Sequence, residues 1–253
     1  MTQDEYVLSI IAKYKLATGQ GSPAYQAAQN LYPTIQRWAN KYLIEITFSG
    51  SYAKGTGVRG STDVDIFISL DPQTPGTLKE LYDGLYSFLD SNRLSPRRQN
   101  VSVGLNYSGV SIDLLPARKQ AGNTKDHSLF KNKAQTWTQT NVQQHINLVS
   151  QSGRLDEIRV IKIWRNLHRL NFPSFYLELT VLDALYNKNK NQPATNVLTA
   201  LEYLRDSFTN TRVVDPANSN NIISEDLTSS EKSLIAGQAR DSRAKARWED
   251  IIW

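Results

Sequence analysis

The sequence lacks several residue types on which whole classes of function depend. Cysteine is absent from all 253 residues, which excludes a disulfide framework, a thiolate metal site and a cysteine nucleophile. Only three histidines occur, His127, His145 and His168, and no two of them have the spacing of a zinc-binding pair. We interpret these histidines as structural or exposed side chains.

Long apolar runs and a strong charge of either sign are also missing. No stretch approaches the ~18–20 continuous apolar residues of a membrane span, and the acidic segment 1–5 has no apolar core behind it, so no signal peptide is predicted. We therefore expect a soluble cytoplasmic protein that makes no membrane contact. The 29 Lys and Arg against 24 Asp and Glu give a formal net charge of +5, which mildly favours anionic partners such as nucleotides or nucleic acid.

The periodicity of the apolar residues changes near residue 120. Before this point helical and strand patterns alternate, with helices predicted over 4–18, 23–41 and 78–89 and strands over 43–48, 64–70, 100–105 and 110–115. Pro33 falls inside the second helix and is expected to kink or split it. After residue 120 the pattern predicts a polar loop and then helices near 134–150, 154–170, 174–187, 194–209 and 229–247. The predicted fold class is α+β, with one domain over 1–120 and a helical one over 121–253.

Two small residues follow the first predicted strand. Gly50 and Ser51 leave that strand and enter a predicted helix, in the segment 48–70 with the sequence FSGSYAKGTGVRGSTDVDIFISL. Small residues at such a place let a phosphate approach backbone N–H groups, and the hydroxyl of Ser51 adds a donor. A Gly-Ser pair is in most proteins only a turn, so its meaning depends on the residues that accompany it.

Three aspartates have the arrangement expected of a metal-dependent phosphoryl-transfer site. Residues i and i+2 of a strand face the same way, so Asp63 and Asp65 are predicted to project from one face while Val64 and Ile66 are buried. Two such carboxylates repel one another and gain from a hard divalent cation between them. Asp113, on a later apolar strand, completes the set if that strand neighbours the first. Such a site activates an attacking oxygen and stabilises a departing pyrophosphate.

The combination of Gly-Ser, Asp-x-Asp and a later Asp resembles the polymerase-β-type nucleotidyltransferase superfamily. Its form here is most similar to two branches: bacterial CD-NTases, which are relatives of cyclic-GMP-AMP synthase and oligoadenylate synthetase, and archaeal-type CCA-adding enzymes. The resemblance continues through 173–178 and 214–218. It implies a nucleotidyltransferase core of mixed β-sheet and helices, an oligoadenylate-synthetase-like helical C-terminal lobe, and two Mg²⁺ or Mn²⁺ ions. Asp63, Asp65 and Asp113 would then be both the catalytic residues and the metal ligands.

The same resemblance adds nucleotide-binding residues in the second half of the chain. On the predicted helix 154–170, Lys162 lies within a basic arc opposite an apolar face, and the resemblance implies that it binds a triphosphate. Ser174 is implied to contact the terminal phosphates and Phe175 to stack on a nucleobase. From the residues alone, such a basic arc is most often a solvated surface, while Ser174 is typical of an N-cap and Phe175 of a core aromatic. Gly50 and Ser51 complete the predicted nucleotide site.

Three functions fit these features. The favoured one is synthesis of a cyclic di- or oligonucleotide second messenger from NTPs, which the resemblance places in bacterial anti-phage signalling with a product-activated effector protein as partner. The alternative is an archaeal-type CCA-adding-like tRNA nucleotidyltransferase or another template-independent nucleotidyl transfer. The third is an inert nucleic-acid binder, which the three retained carboxylates disfavour. The short stretch after Asp113 and the local basic arc favour a triphosphate-sized ligand over tRNA; a nucleic-acid partner is not required and is left open.

Overall fold

The computed structural model describes residues 1–60 and 63–253 of the chain. Ser61 and Thr62, which belong to the motif segment, lie outside the described residues. Within that part the α-helices are α1 (Gln3–Lys13), α2 (Pro23–Ala39), α3 (Gly50–Lys54), α4 (Leu78–Ser91), α5 (Val142–Ser150), α6 (Leu155–Leu167), α7 (Ser174–Ala184), α8 (Pro193–Asp206) and α9 (Ser229–Arg243). The strands are β1 (Leu43–Phe48), β2 (Val64–Leu70), β3 (Arg97–Arg98), β4 (Val103–Tyr107), β5 (Val110–Lys119), β6 (His127–Lys131) and β7 (Thr136–Thr140).

The chain divides into two compact units, each built from separate segments. The sheet unit comprises the described residues within 17–54 and 62–146, and the helical unit those within 1–16, 55–61 and 147–253. The change of pattern near residue 120 falls inside the sheet unit, because β6 and β7 continue the sheet beyond it. The α+β fold class predicted from the sequence is confirmed.

A mixed sheet organises the sheet unit. Its strands follow the order β1-β2-β5-β4-β3, with β6 pairing to the end of β5 and β7 pairing to β6. β2 and β5 are parallel, whereas β1 pairs with β2 and β4 with β5 in antiparallel fashion. The turn between β4 and β5 contains Ser108 and Gly109, both with positive φ, as the two-residue turns of hairpins require.

One face of the sheet is the principal core of this unit. Ile66 and Ile68 of β2 and Leu114 of β5 are fully buried there and share a hydrophobic cluster with side chains of α2 and α4, including Leu31 and Leu85. The alternate residues of β2 and β5 project from the opposite face. The strand pattern therefore decides which side chains remain available for chemistry.

The helical unit has its own apolar core, formed by α1, α6, α7, α8 and α9. Its largest buried side chain is Trp164 of α6, whose indole N–H donates to Ser242 Oγ of α9 at 2.9 Å. Tyr176 of α7 packs edge-to-face with Phe172 at 5.3 Å. In the described part of the chain, no helix combines the length and the apolar character that a membrane crossing requires.

Two local predictions were wrong. The helix predicted over 134–150 begins only at Val142, because residues 136–140 form β7 and pair with β6. The three threonines and the tryptophan of TWTQT suit a strand. Pairing with β6, which lies in a segment predicted to be a loop, makes this segment a strand rather than a helix. The second error concerns the expected split at Pro33, because α2 runs through this residue without interruption; a kink there stays a prediction. Pro33 removes one backbone donor, and the buried Leu31 and Ile35 on either side hold the helix against the core.

Candidate active site

Asp65 and Asp113 lie side by side on neighbouring strands. β2 and β5 are parallel, and the two aspartates are register partners. Neighbouring strands lie ~4.8 Å apart, and register partners project from the same face of the sheet. Val64 and Ile112, one position earlier in each strand, point the opposite way into the core. The structure thus brings together the second aspartate of the Asp-x-Asp pair and the later aspartate.

Asp63 precedes β2 and is exposed. Its charge nevertheless reaches the site: burial raises the pKa of Asp113 to about 6, and the negative charge of Asp63 is the next largest cause of that rise. Over residues 1–60 and 63–253, no three His, Asp or Glu side chains form a group that could hold a metal ion as they stand. The meeting of all three aspartates on one ion therefore stays a prediction.

The surroundings of Asp65 fit a hard cation. The Ser49 hydroxyl is buried and finds no hydrogen-bond partner in the described part of the chain, while the Ser49 N–H donates to the Asp65 carbonyl at 2.8 Å. A Cβ at Gly50 would lie 1.7 Å from Asp65 Oδ2, so glycine is needed to leave the carboxylate its place. Carboxylate and hydroxyl oxygens are the donors that Mg²⁺ and Mn²⁺ prefer. Asp63, Asp65 and Asp113 are the residues that would hold the ion.

Gly50 and Ser51 begin α3, so the strand-to-helix transition predicted from the sequence is present. Gly50 has a φ of +55°, which glycine adopts without strain. The ring of Tyr52 stacks on Phe48 of β1 at 4.7 Å, and this contact fixes α3 at the end of the strand. Because α3 has only five residues, any phosphate binding here would depend on local N–H groups and the hydroxyl rather than on a long helix dipole. Phosphate binding by Gly50 and Ser51 stays a prediction.

A hydrogen-bonded side chain that the sequence analysis missed holds Asp113. Gln99 Nε2 donates to Asp113 Oδ1 at 2.8 Å, and Ser102 Oγ donates to Gln99 Oε1 at 2.9 Å. The Tyr82 hydroxyl donates to the carbonyls of Gln99 and Ser102 and accepts from the Gln99 N–H at 3.0 Å. These bonds orient one carboxylate oxygen of Asp113 and partly offset the rise in its pKa. A single glutamine in a polar loop carries no sequence signal, since its role depends on the pairing of β4 with β5.

Gly104 provides the space for this contact. It is the register partner of Asp113 on β4, and a Cβ at this position would lie 2.5 Å from Gln99 Nε2 and 2.9 Å from Asp113 Oδ1. Any larger residue would force the amide and the carboxylate apart. The glycine is therefore part of the way the chain builds the site.

Lys162 lies in the helical unit and is buried, not solvated. Its side chain is 2% exposed, and its ammonium group forms an ion pair with Glu178 of α7 at 2.6 Å and donates a further hydrogen bond to Thr56 Oγ1 at 2.9 Å. Thr56 also donates to Glu178 at 2.6 Å. The basic arc predicted on α6 therefore contains a side chain whose charge is compensated inside the unit.

Ser174 and Phe175 open α7, as predicted, but Ser174 does not cap it. The N-cap position is Pro173, with no side-chain capping bond. Ser174 Oγ instead accepts from Arg165 Nη1 at 3.0 Å, which ties the start of α7 to α6. Phe175 is half-buried against the apolar core of the helical unit. Their contacts with a nucleotide stay predictions.

Comparison with known proteins agrees with the motifs. Residues 34–98 match the family described as nucleotidyltransferase domain. Over 158 residues the chain is 24% identical to the cyclic AMP-AMP-AMP synthase of Escherichia coli (strain MS 115-1), an alignment that covers 55% of this chain and 49% of the relative. The chain thus matches about half the length of this curated relative.

Solved structures extend the likeness to nearly the whole chain. The E. coli MS115-1 CdnC structure with ATP has a TM-score of 0.75 at 20% identity, covering 94% of this chain and 89% of CdnC. The CD-NTase CdnG of Bradyrhizobium diazoefficiens, in complex with GTP, has a TM-score of 0.77 at 14% identity, covering 98% and 94% of the two chains. The predicted resemblance to bacterial CD-NTases and to the polymerase-β-type fold is confirmed.

Proposed function

We propose that the chain is a metal-dependent nucleotidyltransferase that joins NTPs into a cyclic di- or oligonucleotide second messenger. The observation that carries this proposal is the register pairing of Asp65 with Asp113 beside Gly50, on the sheet face opposite the core. The nucleotidyltransferase match over residues 34–98 supports the chemistry. The likeness to the E. coli cyclic AMP-AMP-AMP synthase supports a cyclic product rather than tRNA end addition.

The proposed reaction is an in-line displacement at phosphorus. The hydroxyl oxygen of one nucleotide's ribose forms a bond to the α-phosphorus of a second NTP, the α–β bridging P–O bond breaks, and pyrophosphate leaves with the bonding electrons. The hydroxyl proton passes to the Asp113 carboxylate. With a pKa of about 6, this group is mostly ionised at neutral pH and is basic enough to accept a proton. A second transfer within the linear product closes the ring.

Two Mg²⁺ or Mn²⁺ ions, when bound, would activate the attacking oxygen and neutralise charge on the pyrophosphate. Asp63, Asp65 and Asp113 are proposed to hold them. Gln99 keeps one oxygen of Asp113 in a fixed orientation. Gly50 leaves the Asp65 carboxylate the room it occupies.

The nucleotide-binding assignments differ in their support. Gly50 and Ser51 are proposed to contact phosphates of the NTP that donates its nucleotidyl group, because they border Asp65. Ser174 and Phe175 are proposed to contact phosphates and a base. For Lys162, the buried ion pair with Glu178 supports an indirect contribution, in which the ammonium group fixes α6 against α7.

The proposed setting follows from the resemblance alone. CD-NTases of this kind act in the bacterial cytoplasm, where NTPs are abundant, and their product activates an effector protein in anti-phage signalling. We propose the same setting and the same class of partner for this chain.

The test of the function is a product assay. The purified chain is incubated with all four NTPs and Mg²⁺ or Mn²⁺, residual triphosphates are removed with phosphatase, and products are identified by mass spectrometry. A phosphatase-resistant cyclic species is expected. Products that form only when tRNA is added would contradict the proposed function in favour of tRNA end addition.

A matched pair of variants tests the site in the same assay. Asp63→Asn combined with Asp65→Asn should lower product formation by at least ~10³-fold, because the hard-cation ligands are lost. Asp90→Asn, an exposed aspartate on α4 in the same unit, should retain wild-type activity. Undiminished product from the double variant would rule out the metal assignment.

A further inference from the structure

A row of register partners crosses four strands of the sheet at the candidate site. Asp65 on β2 is paired with Asp113 on β5, Asp113 with Gly104 on β4, and Gly104 with Arg97 on β3. Register partners share a face, so Arg97 projects from the same face as the carboxylates. Two strand spacings, about 10 Å, separate its backbone from that of Asp113.

The electrostatics and the neighbouring arginine agree with this placement. The positive charge of Arg97 is one of the causes that lower the pKa of Asp113 against the effect of burial. Arg98 points the other way: it forms an ion pair with Asp83 of α4, and its guanidinium lies 4.2 Å from the centre of the Tyr86 ring. The two arginines therefore serve opposite faces of the sheet.

The sheet surface between Arg97 and Asp113 is polar and carries no bulky side chain. Gly104 carries no side chain, and the amide of Gln99 lies over it. Arg97 itself is exposed. A ligand lying on this surface with its hydroxyl at Asp113 would meet a guanidinium at the β3 end of the row.

The geometry of the displacement indicates which nucleotide lies on this surface. In an in-line displacement, the attacking oxygen and the leaving pyrophosphate lie on opposite sides of the phosphorus. The proposed function, on which this step rests, places the donor phosphates at Gly50 and Ser51, beyond Asp65 at the β1 end. The attacking nucleotide then approaches from the end occupied by Asp113 and Arg97.

We propose that Arg97 binds the 5′-phosphate of the attacking nucleotide. A guanidinium offers paired N–H donors that match phosphate oxygens, and its charge is permanent. Arg97 would thereby orient the ribose so that its hydroxyl faces Asp113, and would favour phosphorylated over unphosphorylated acceptors.

The experiment separates the acceptor from the donor. A 2′,3′-dideoxynucleoside triphosphate serves as donor, because it has no hydroxyl with which to attack, and its base is the one that the wild-type chain incorporates in the product assay. The acceptors are the nucleoside 5′-monophosphate and the nucleoside of the same base, neither of which can donate. The measured quantity is the ratio of kcat/KM for the two acceptors.

We expect the wild-type chain to prefer the monophosphate by about tenfold or more, as a charge-assisted contact would give. Arg97→Ala should bring the ratio close to one without changing the donor KM, and Arg97→Lys should restore part of the preference. Lys133→Ala removes an exposed cation from the same unit and should keep the wild-type ratio. Melting temperatures of the variants confirm that each is folded.

Two results would overturn the inference. Transfer by the wild-type chain without a phosphate preference, or an unchanged ratio in Arg97→Ala, contradicts the role of Arg97 and leaves the proposed function standing. Absence of transfer to either acceptor, together with absence of product from NTPs, contradicts the proposed function and this inference with it.

Discussion

Opposing influences act on the carboxyl group of Asp113. Burial and the charge of Asp63 favour its protonated form, whereas the bond from Gln99 and the charge of Arg97 favour the ionised form. Burial prevails, and the pKa lies at about 6. At neutral pH the buried, ionised carboxylate of Asp113 destabilises the metal-free folded state, and a bound cation would offset this cost. The property that suits Asp113 to the reaction therefore also lowers the stability of the fold.

The pH dependence of stability follows from this pKa. An unperturbed aspartate has a pKa of 3.8; below this pH the carboxyl is protonated in both the folded and the unfolded chain. As the pH rises through 6, the folded state must ionise a buried group, so the free energy of unfolding falls. Asp113→Asn removes this loss and should be more stable than the wild type at pH 8 by about 1–2 kcal/mol, after allowance for partial exposure.

Urea unfolding at pH 4.5 and pH 8 in the presence of a chelator measures the effect. The difference between Asp113→Asn and the wild type should be small at pH 4.5 and should grow towards pH 8. Asp90→Asn, at an exposed position, is the control. An equal pH dependence in the wild type and Asp113→Asn would show that Asp113 does not ionise in this range.

Gly104 offers a second test at the scale of single residues. Gly104→Ala places a methyl group against the Gln99 amide and the Asp113 carboxylate, and should lower stability by about 1–3 kcal/mol and activity by more than tenfold. Adding Gln99→Ala creates room, so the double variant should recover stability but not activity, because Asp113 loses its orienting bond. Urea unfolding and the product assay measure the two effects.

A glycine elsewhere in the unit serves as the control. Gly84→Ala lies on the exposed side of α4, where the nearest atom to the added methyl group is 3.8 Å away. It should stabilise the helix by about 0.5–1 kcal/mol. If Gly104→Ala also leaves the free energy of unfolding unchanged or raises it, Gly104 is not in close contact with Gln99 and Asp113.

At the scale of elements, the strands that carry the site were predictable from local pattern. β2 runs over Val64–Leu70 as predicted, and the strands predicted over 100–105 and 110–115 correspond to β4 and the first part of β5. Alternation then placed Asp65 and Asp113 on one face once the two strands were neighbours. β6 and β7 were missed because each has only five residues and becomes a strand through pairing, β6 with β5 and β7, and β7 with β6.

Helix α6 shows the limit of periodicity. The pattern places Lys162 on a basic arc, yet Lys162 and Ile158, one turn before it, are both buried. A second surface packs against that side of α6, and the partner that compensates Lys162 is Glu178, one helix later. The spacing of apolar residues predicts the apolar face of a helix. It does not predict a second buried face whose charged side chain is neutralised by an ion pair.

The ion pair between α6 and α7 gives a prediction at this scale. Glu178→Gln should lower the free energy of unfolding by about 3–5 kcal/mol, because it leaves the buried ammonium of Lys162 without its counter-charge. Replacing both groups, with Lys162→Met and Glu178→Leu, should cost less than the single change. Urea unfolding of the wild type, Lys162→Met, Glu178→Leu and the double variant forms a double-mutant cycle, with Glu178→Gln measured beside them.

The exposed neighbours Arg205 and Asp206 of α8 provide the comparison. Their carboxylate–guanidinium pair is solvated, so Asp206→Asn should change stability little. If Glu178→Gln is equally mild, Lys162 is not held by a buried pair, and direct phosphate binding becomes the better account of it.

At the scale of the whole molecule, the aspartate motif predicts the fold class, but it does not predict which segments of the chain belong to the same compact unit. The order Gly-Ser, Asp-x-Asp, Asp indicated the α+β core, since each motif needs its own strand end. The N-terminal segment, however, belongs to the helical unit: the Tyr6 hydroxyl donates to the Ile252 carbonyl at 2.8 Å across almost the full length of the sequence. Contacts between such distant positions depend on surfaces that local patterns do not describe.

The stability of the whole chain should depend on metal in a way that reverses the ranking of two variants. A ligand that binds only the folded state adds about 2.7 kcal/mol at a concentration 100 times its Kd, and for a chain of this size each kcal/mol raises Tm by about 2–4 °C. Mn²⁺ should therefore stabilise the wild type and Asp90→Asn but leave Asp65→Asn and Asp113→Asn unchanged. Without metal at pH 8, Asp113→Asn melts above the wild type; with saturating Mn²⁺ it should melt below it. Thermal melts in chelator and in Mn²⁺ test this without any turnover, and parallel shifts in all four chains would mean that the carboxylates do not bind the cation.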